Sequence, residues 1–531
     1  MGVSVPRLAG ALGGDHPVAA SRRREEWLLT AIAAVVPLVV AVGVAVAVPD
    51  PNLFLALGIA GGLLGLVALT ASTRYEVTLT ILVLYLGLVD GVIKLETANQ
   101  LVSSLRDLMI AAVCIGALVR MIVRRDEIRL PPLSGWVFGF CLLVAVEVFN
   151  PNTHGILKVI GGFRQQFEWI PFFFLGYLLM RSKDRFRKFF ILLGVLALAN
   201  GVVSTYQTQL TPTQLSNWGP GYAERISGTG SVSGRVYTDP GGEERVRPPA
   251  LGSDLGFGGF VGVLALPGLL ALLAIGRTRD RWITLVLTLG ALLAVATSLQ
   301  RTAVLGAVIA VIAFAALAAS AGRRAARVLA SILVVGVIAF GLASIFAPDA
   351  GEGVFSRYSS ITPDKAASTS VGYREGTLAQ IPDVVAKYPF GAGLATAGAG
   401  ATFGGSSTAT IDGHPLSAES QYNYVNLELG ILGLLFWIVL TLTVITLAAR
   451  GLRKVGDVEL RLSLAAIFAT FIAFSVMGFA GPTTSNLPFG PFFWFAIGIA
   501  SYWFAGGLQR HQPIHPRPGR DGLSVPASQP I

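Results

Sequence analysis

The feature that most constrains this chain is the recurrence, along almost all of its 531 residues, of apolar runs close to twenty residues long. A helix of ~18 or more nearly uncharged residues can cross roughly 30 Å of hydrocarbon. Within hydrocarbon, a helix is the structure that satisfies every backbone N–H and C=O inside one segment. Runs of this kind stand near 28–48, 53–71, 76–90, 105–123, 134–149, 165–180, 188–205, 253–275, 282–299, 302–320, 328–347, 423–449, 462–480 and 489–506. The composition agrees: 53% of residues are hydrophobic and 13% charged, and the mean hydropathy is +0.66, outside the balance of a soluble domain. The expected fold class is therefore an all-α polytopic membrane protein with about 14 transmembrane helices. The first run follows Arg22, Arg23 and Arg24 without a clear small-residue cleavage site, and reads as a retained span.

Lys and Arg set the expected orientation. With the Arg22–Arg24 cluster inside, the cytoplasmic turns hold Arg74, Arg120 to Arg129, Arg181 to Lys188, Arg277 to Arg281, Arg323 to Arg327 and Arg450 to Arg461. The turns at 49–53, 150–155 and 481–488 carry no Lys or Arg. The net charge of +10 thus reports topology, and no basic stripe with interleaved aromatics suggests nucleic acid. The organisation that follows is a cytoplasmic segment 1–27, seven helices within 28–205, a first extracytoplasmic loop 206–252, helices within 253–347, a second extracytoplasmic loop 348–422, helices within 423–506, and a cytoplasmic, disordered tail 507–531. The two long loops contain Trp218, Tyr222, Tyr237, Phe355, Tyr358, Tyr373, Tyr388 and Phe390, too aromatic for plain linkers. Both should fold over the outer face, with the Gly/Ser/Thr-rich stretch 395–410 as a mobile flap. Segment 155–165 places Ile156, Leu157, Ile160 and Phe163 at helical spacing, as an interfacial amphipathic helix would.

Several familiar chemistries find no pattern here. The five His residues stand singly, Cys114 and Cys141 fall within expected spans, and no Walker loop or dinucleotide fingerprint occurs. No metal site, no cofactor and no ATP-driven pump is expected. The ionisable residues in or beside apolar segments are Asp90, Lys94, Glu147, Arg164, Asp254, Arg301, Glu419 and Glu428, all toward the outer ends of the spans. Such groups are costly in or near a bilayer and mark functional candidates. Arg301 lies in the tight turn SLQRTA, where a snorkelling contact with lipid headgroups competes with a phosphate ligand at a helix N-terminus. Arg245 and Arg247 precede the eighth span in RVRPPALGSDLG, and Arg374 lies in the second loop. Solvated surface is the plain alternative for each; together with Arg164 they could form a diphosphate site.

Three stretches carry a family resemblance: RVRPPALGSDLG, TSLQRTA, and YREGTLAQIPDVVAKYPFGAGLATAG followed by HPLSAESQYNYVNLELGILGLLF. The chain resembles the O-antigen ligase and polymerase superfamily of bacterial membrane glycosyltransferases, a GT-C-like fold with relatives among peptidoglycan polymerases. The ligase motif has His, then Asn, Ser or Gln, then nine residues, then Gly-x-x-Gly; here Ser420, Gly430 and Gly433 keep the spacing and Glu419 holds the His position. Gly430 and Gly433 should let their helix pack closely on a neighbour. The resemblance implies a polyprenyl-diphosphate-linked glycan donor held by Arg301, Arg374, Arg247, Arg245 and Arg164, and a glycan acceptor activated by a general base. Glu419 is the first candidate for that base and His414 the second, while an acidic residue favouring a helix N-terminus is the bland reading of Glu419. The implied reaction is inverting and metal-independent, on the outer face of a bacterial plasma membrane, with membrane lipids and a chain-length regulator or flippase as further partners. Polymerase and ligase readings both stand, and a lipid-linked glycan flippase or a membrane scaffold are the readings from other classes.

Overall fold

The apolar runs become helices, and the few polar residues inside them decide where those helices bend, cap or stop. The computed structural model describes residues 75–98, 100–123, 130–153, 155–227, 235–238, 242–276, 281–319, 330, 332, 379–397, 410–411, 414–415, 420–484 and 486–506. The expected spans at 28–48 and 53–71, nearly all of that at 328–347, the segment 1–27, the tail 507–531 and most of 348–422 lie outside the described residues. Helix α1 (Tyr75–Leu84) runs through a π-helical turn (Tyr85–Val89) into α2 (Asp90–Thr97). There follow α3 (Gln100–Val123), α4 (Ser134–Val146), α5 (Ile156–Phe167), α6 (Pro171–Leu179) and α7 (Lys183–Gln207). After the short α8 (Pro212–Ser216) and α9 (Pro220–Ser227), β1 (Val236–Thr238) pairs antiparallel with β2 (Glu244–Val246). The remaining elements are α10 (Phe257–Ile275), α11 (Arg281–Thr297), α12 (Arg301–Ala318), α13 (Ile381–Lys387), the ribbon β3 (Thr410–Ile411) with β4 (His414–Pro415), α14 (Gln421–Leu452), α15 (Val458–Met477) and α16 (Phe489–Ala500).

Among the described residues, six helices are long and apolar enough to cross a membrane: Glu76–Thr97, Lys183–Gln207, Phe257–Ile275, Arg301–Ala318, Gln421–Leu452 and Val458–Met477. The protein is thus mostly helical and polytopic. α10 is the central helix, with 78% of its apolar window buried against 33% for α12, and it packs on α7, α11, α12 and α15. On α4, Phe138, Leu142 and Val146 repeat every fourth residue and are exposed, as are Leu432, Leu435, Val439 and Leu442 on α14. An apolar face of this extent suits lipid and would be a liability in water.

Three details differ from the sequence expectation. The run at 165–180 is broken: α5 ends at Phe167, and Pro171, which has no N–H to donate, opens the nine-residue α6. Gly430 does not serve helix–helix contact. Its φ of 65° and ψ of −167° bend α14, in a region that only glycine enters cheaply, and a Cβ there would lie 2.5 Å from the Phe390 carbonyl carbon. The backbone it admits belongs to loop 389–391. Last, the start of the expected flap is fixed, since Ala395, Thr396 and Ala397 are buried.

The chain between α7 and α10 forms a small second core. Leu95 at the end of α2 packs with Leu215, Tyr222 and Val246, drawn from α8, α9 and β2. This cap sits at the end of the helices where the polar residues collect.

Candidate functional site

The site is built on the loop between β2 and α10, and α7 holds that loop through two buried amides. Asn200 accepts from the Leu251 N–H (3.1 Å) and donates to the Gly87 carbonyl (3.1 Å), tying loop, α7 and the π-helical turn together. Gln207 accepts from the Ala250 N–H (2.8 Å) and donates to the Ala250 carbonyl (3.1 Å). Both amides are wholly buried, so their geometry is locked. Gly91 of α2 lies backbone to backbone on Gly252, where any Cβ would come within 2.4 Å of main-chain atoms.

A buried cation that the sequence reading missed rests on this loop. Arg235, 3% exposed, precedes β1 and donates from one guanidinium NH₂ to the Ser253 carbonyl. Its other NH₂ nitrogen is buried and meets no hydrogen-bond partner among the described residues. Burial, with the neighbouring Arg225, pulls the guanidinium down to about 10, against the opposing pull of Asp254. At neutral pH Arg235 therefore remains a cation. The Arg247 N–H donates to the Arg235 carbonyl (2.5 Å), which fixes the two arginines on facing strands' ends. Nothing in the sequence singled out Arg235: it belongs to no motif, and its burial is created by the fold.

Arg301 opens α12, with Gln300 at the N-cap. Gln300 packs on Gly256, so the helix start abuts the same loop that carries Ser253 and Asp254. The Arg301 Nε and the Gln300 side-chain nitrogen are buried without a hydrogen-bond partner among the described residues. Orphaned buried donors at a helix N-terminus are the arrangement an anion satisfies.

The other candidates go elsewhere. Arg245 pairs with Glu243 at 2.7 Å on the exposed side of the hairpin. Arg164 pairs through Nε with Asp107 at 2.5 Å and enters an ion network. In that network Arg106, buried and also missed in the sequence, contacts Glu168 (2.5 Å) and Asp90 (3.5 Å) and lies 4.9 Å from the Trp169 ring centre. Lys94 adds a 2.7 Å contact to Asp90. Three acids and three bases thus offset one another, which is how a membrane protein keeps charges at this depth. Arg374 and Glu419 lie outside the described residues. His414 is in the β3–β4 ribbon, whose Thr410 carbonyl accepts from Lys387 (2.6 Å) at the end of α13.

Glu428 is wholly buried at the bend of α14. Its carboxylate accepts from Gln166 Nε2 (2.7 Å), the Tyr424 hydroxyl (3.1 Å) and the Ala397 N–H (3.3 Å). Backbone contacts from Ala392 N–H to Leu427 O (2.6 Å) and from Ile431 N–H to Pro389 O (3.1 Å) straddle the bend. Asn150 bridges Glu147 (2.8 Å) and the Gly391 carbonyl (2.9 Å). The segment 389–397, which leads toward Glu419 in the chain, is therefore strapped to α5, to α14 and, through Asn150, to the turn that follows α4. Ser420 starts α14 by accepting from the Asn423 N–H (2.9 Å). Among the described residues no group of three or more His, Cys, Asp or Glu could hold a metal ion.

These features define a class: a polytopic helical membrane protein with a buried arginine, Arg235, and a half-buried one, Arg301, each with an unpartnered nitrogen among the described residues. Residues 286–438 match the family model described as O-antigen ligase, and this match supports the resemblance to the O-antigen ligase and polymerase superfamily. The match runs from α11 past the bend of α14 and takes in Arg301, Arg374, His414, Glu419 and Glu428, leaving Arg235 and Arg247 outside it. Neither the curated proteins nor the solved structures contain a match to the chain.

Proposed function

We propose that the protein polymerises polyprenyl-diphosphate-linked oligosaccharides into a cell-surface polysaccharide, on the outer face of a bacterial plasma membrane. The family supports glycan transfer in a membrane from a lipid-linked donor to a glycan acceptor. The observation that carries the donor's chemistry is Arg235: a buried guanidinium with an unpartnered nitrogen, beside Arg247 and near the helix start at Arg301. In this reading Arg301, Arg247 and Arg374 hold the diphosphate, and Arg235 joins them. Arg164 and Arg245 have carboxylate partners and serve structure.

In the reaction an acceptor hydroxyl oxygen forms a bond to the donor's anomeric carbon, while the bond from that carbon to the phosphate oxygen breaks. The diphosphate leaves with the electron pair, stabilised by the guanidinium groups. The hydroxyl proton passes to Glu419, with His414 as the second candidate. A single displacement inverts the anomeric centre. The topology that fits has about fourteen spans, cytoplasmic termini, and the arginine cluster with loops 206–252 and 348–422 outside.

The test is chain elongation by purified protein in liposomes supplied with a lipid-linked repeat unit. Wild type should give a product ladder, and Glu419→Gln and Arg301→Ala should each lose it. Normal ladders from both variants would overturn the reading. Transfer to a different acceptor without a ladder would establish the ligase alternative, and passage of the donor across the bilayer without bond formation would establish a flippase.

A further inference from the structure

Directly beneath the arginine loop lies an apolar cavity that the reaction described above does not use. It is framed by α1, α6, α7, α10 and α16, and almost no polar surface lines it. Its upper end is bounded by Gly87 and Phe257. Both residues are tied to the arginine loop: the Gly87 carbonyl accepts from Asn200, which also holds Leu251, and Phe257 packs against Gly252, next to the Ser253 that receives Arg235. Its lower end is bounded by Leu79 and Phe189. From Leu79 to Gly87 the helical rise is about 12 Å. The cavity thus begins beneath the loop whose Ser253 carbonyl receives Arg235 and runs along the helices toward the opposite end of the bundle.

A cavity of this lining stays dry and takes an apolar guest. What guest is set by what lies at its mouth. An amphiphile whose anionic head sits on Arg235 and Arg301 delivers the first part of its chain into this space. We infer that the cavity seats the head-proximal isoprene units of the polyprenyl diphosphate donor. The inference rests on the proposed donor and assigns its lipid part a site. Phenylalanines 172, 189, 257, 492 and 495 line the space, giving flat faces against which a branched, unsaturated chain packs closely. The remaining isoprene units lie outside this cavity.

The experiment uses the full chain in liposomes and a farnesyl diphosphate carrying a diazirine on its second isoprene unit. Labelled peptides are identified by mass spectrometry, and neither step requires glycosyl transfer. The expected result is labelling within 257–264 and 189–196, suppressed by unlabelled polyprenyl diphosphate. Val261→Trp, which fills the cavity, should lower that labelling about tenfold, the equivalent of two buried methylenes lost from contact. Leu193→Trp serves as the second variant, and each is compared with wild type for thermal unfolding in detergent. If both unfold, wild-type competition alone decides. Labelling outside these helices overturns the inference, and so does labelling that polyprenyl diphosphate leaves unchanged while added phospholipid suppresses it. A wild-type protein that labels in the cavity but transfers no glycan supports the seat and counts against the proposed function. One that transfers glycan with the cavity unlabelled overturns the seat alone.

Discussion

Removal of the Glu428 carboxylate should release the strap that leads in the chain toward Glu419, the proposed general base. In Glu428→Ala three donors lose an acceptor, but Gln166 Nε2 keeps the Tyr424 hydroxyl at 2.7 Å as a second partner. The Tyr424 hydroxyl and the Ala397 N–H lose the acceptors described above. A buried donor left unsatisfied costs about 1–3 kcal/mol. The Ala397 contact is long at 3.3 Å and sits at the low end of that range. Only the Ala397 N–H belongs to the strap, which should therefore loosen by about 1 kcal/mol, roughly a fivefold rise in its open population. Hydrogen exchange of the peptide 389–397 in detergent reads this directly, because the Ala392 amide reports the bond to Leu427 and the Leu394 amide the bond to Thr153. Exchange should accelerate there and stay unchanged in α10. Exchange within about threefold of wild type at 389–397 would refute the idea that Glu428 anchors the segment. Because the strap precedes Glu419 in the chain, the same variant should lose glycan transfer in parallel.

Gly430→Ala forces a Cβ into the Pro389–Gly391 backbone at a φ of 65°, and should lower the detergent melting temperature by an amount reflecting at least about 1–3 kcal/mol. Arg106→Ala leaves Asp90 and Glu168 buried near Lys94 and Arg164 alone; a loss of about 3–5 kcal/mol is expected, seen as poor yield or early unfolding. Arg106→Lys should recover part of that loss, though not the contact with Trp169. At the opposite end of the bundle, partial burial pushes the Asp457 carboxyl up, but hydrogen bonds from Lys183 and the Leu460 N–H outweigh it and hold it below its ordinary value. A depressed carboxylate stabilises the fold above its unfolded pKa near 3.9, and the contribution disappears as pH falls through the lower folded value. Melting temperatures measured between about pH 6 and pH 3 should thus fall more steeply for wild type than for Asp457→Asn.

Much of the fold was legible because hydrocarbon permits few solutions. A run such as 257–275 has one way to satisfy its backbone, and it is the central helix. The site was legible in part, and the limits have physical causes. Arg301 stood out because its turn is so short that the residue had to sit at a helix start. Arg235 and Arg106 did not, because burial in a folded loop or a charge network depends on partners far away in the chain: Ser253 for one, Glu168 for the other. Arg164 and Arg245 looked free in the sequence for the same reason, before Asp107 and Glu243 took their places. Gly430 and Gly433 were read as a helix-packing pair because spacing alone cannot tell a smooth helix from one bent to admit a loop. The bend is set by the backbone of Pro389 to Gly391, some forty residues earlier.

The central claim is that Arg235 and Arg301 bind the diphosphate of a glycan donor whose transfer we propose the protein catalyses. The most direct test is the initial rate of chain elongation in liposomes across a donor titration, for wild type, Arg235→Ala, Arg301→Ala and the exposed Lys454→Ala at the other end of the bundle. Loss of one charge-assisted contact to phosphate costs about 1.5–3 kcal/mol, so kcat/KM should fall roughly 10- to 150-fold in each arginine variant and hold at the wild-type value in Lys454→Ala. Arginine variants that elongate glycan at the wild-type rate would contradict the account.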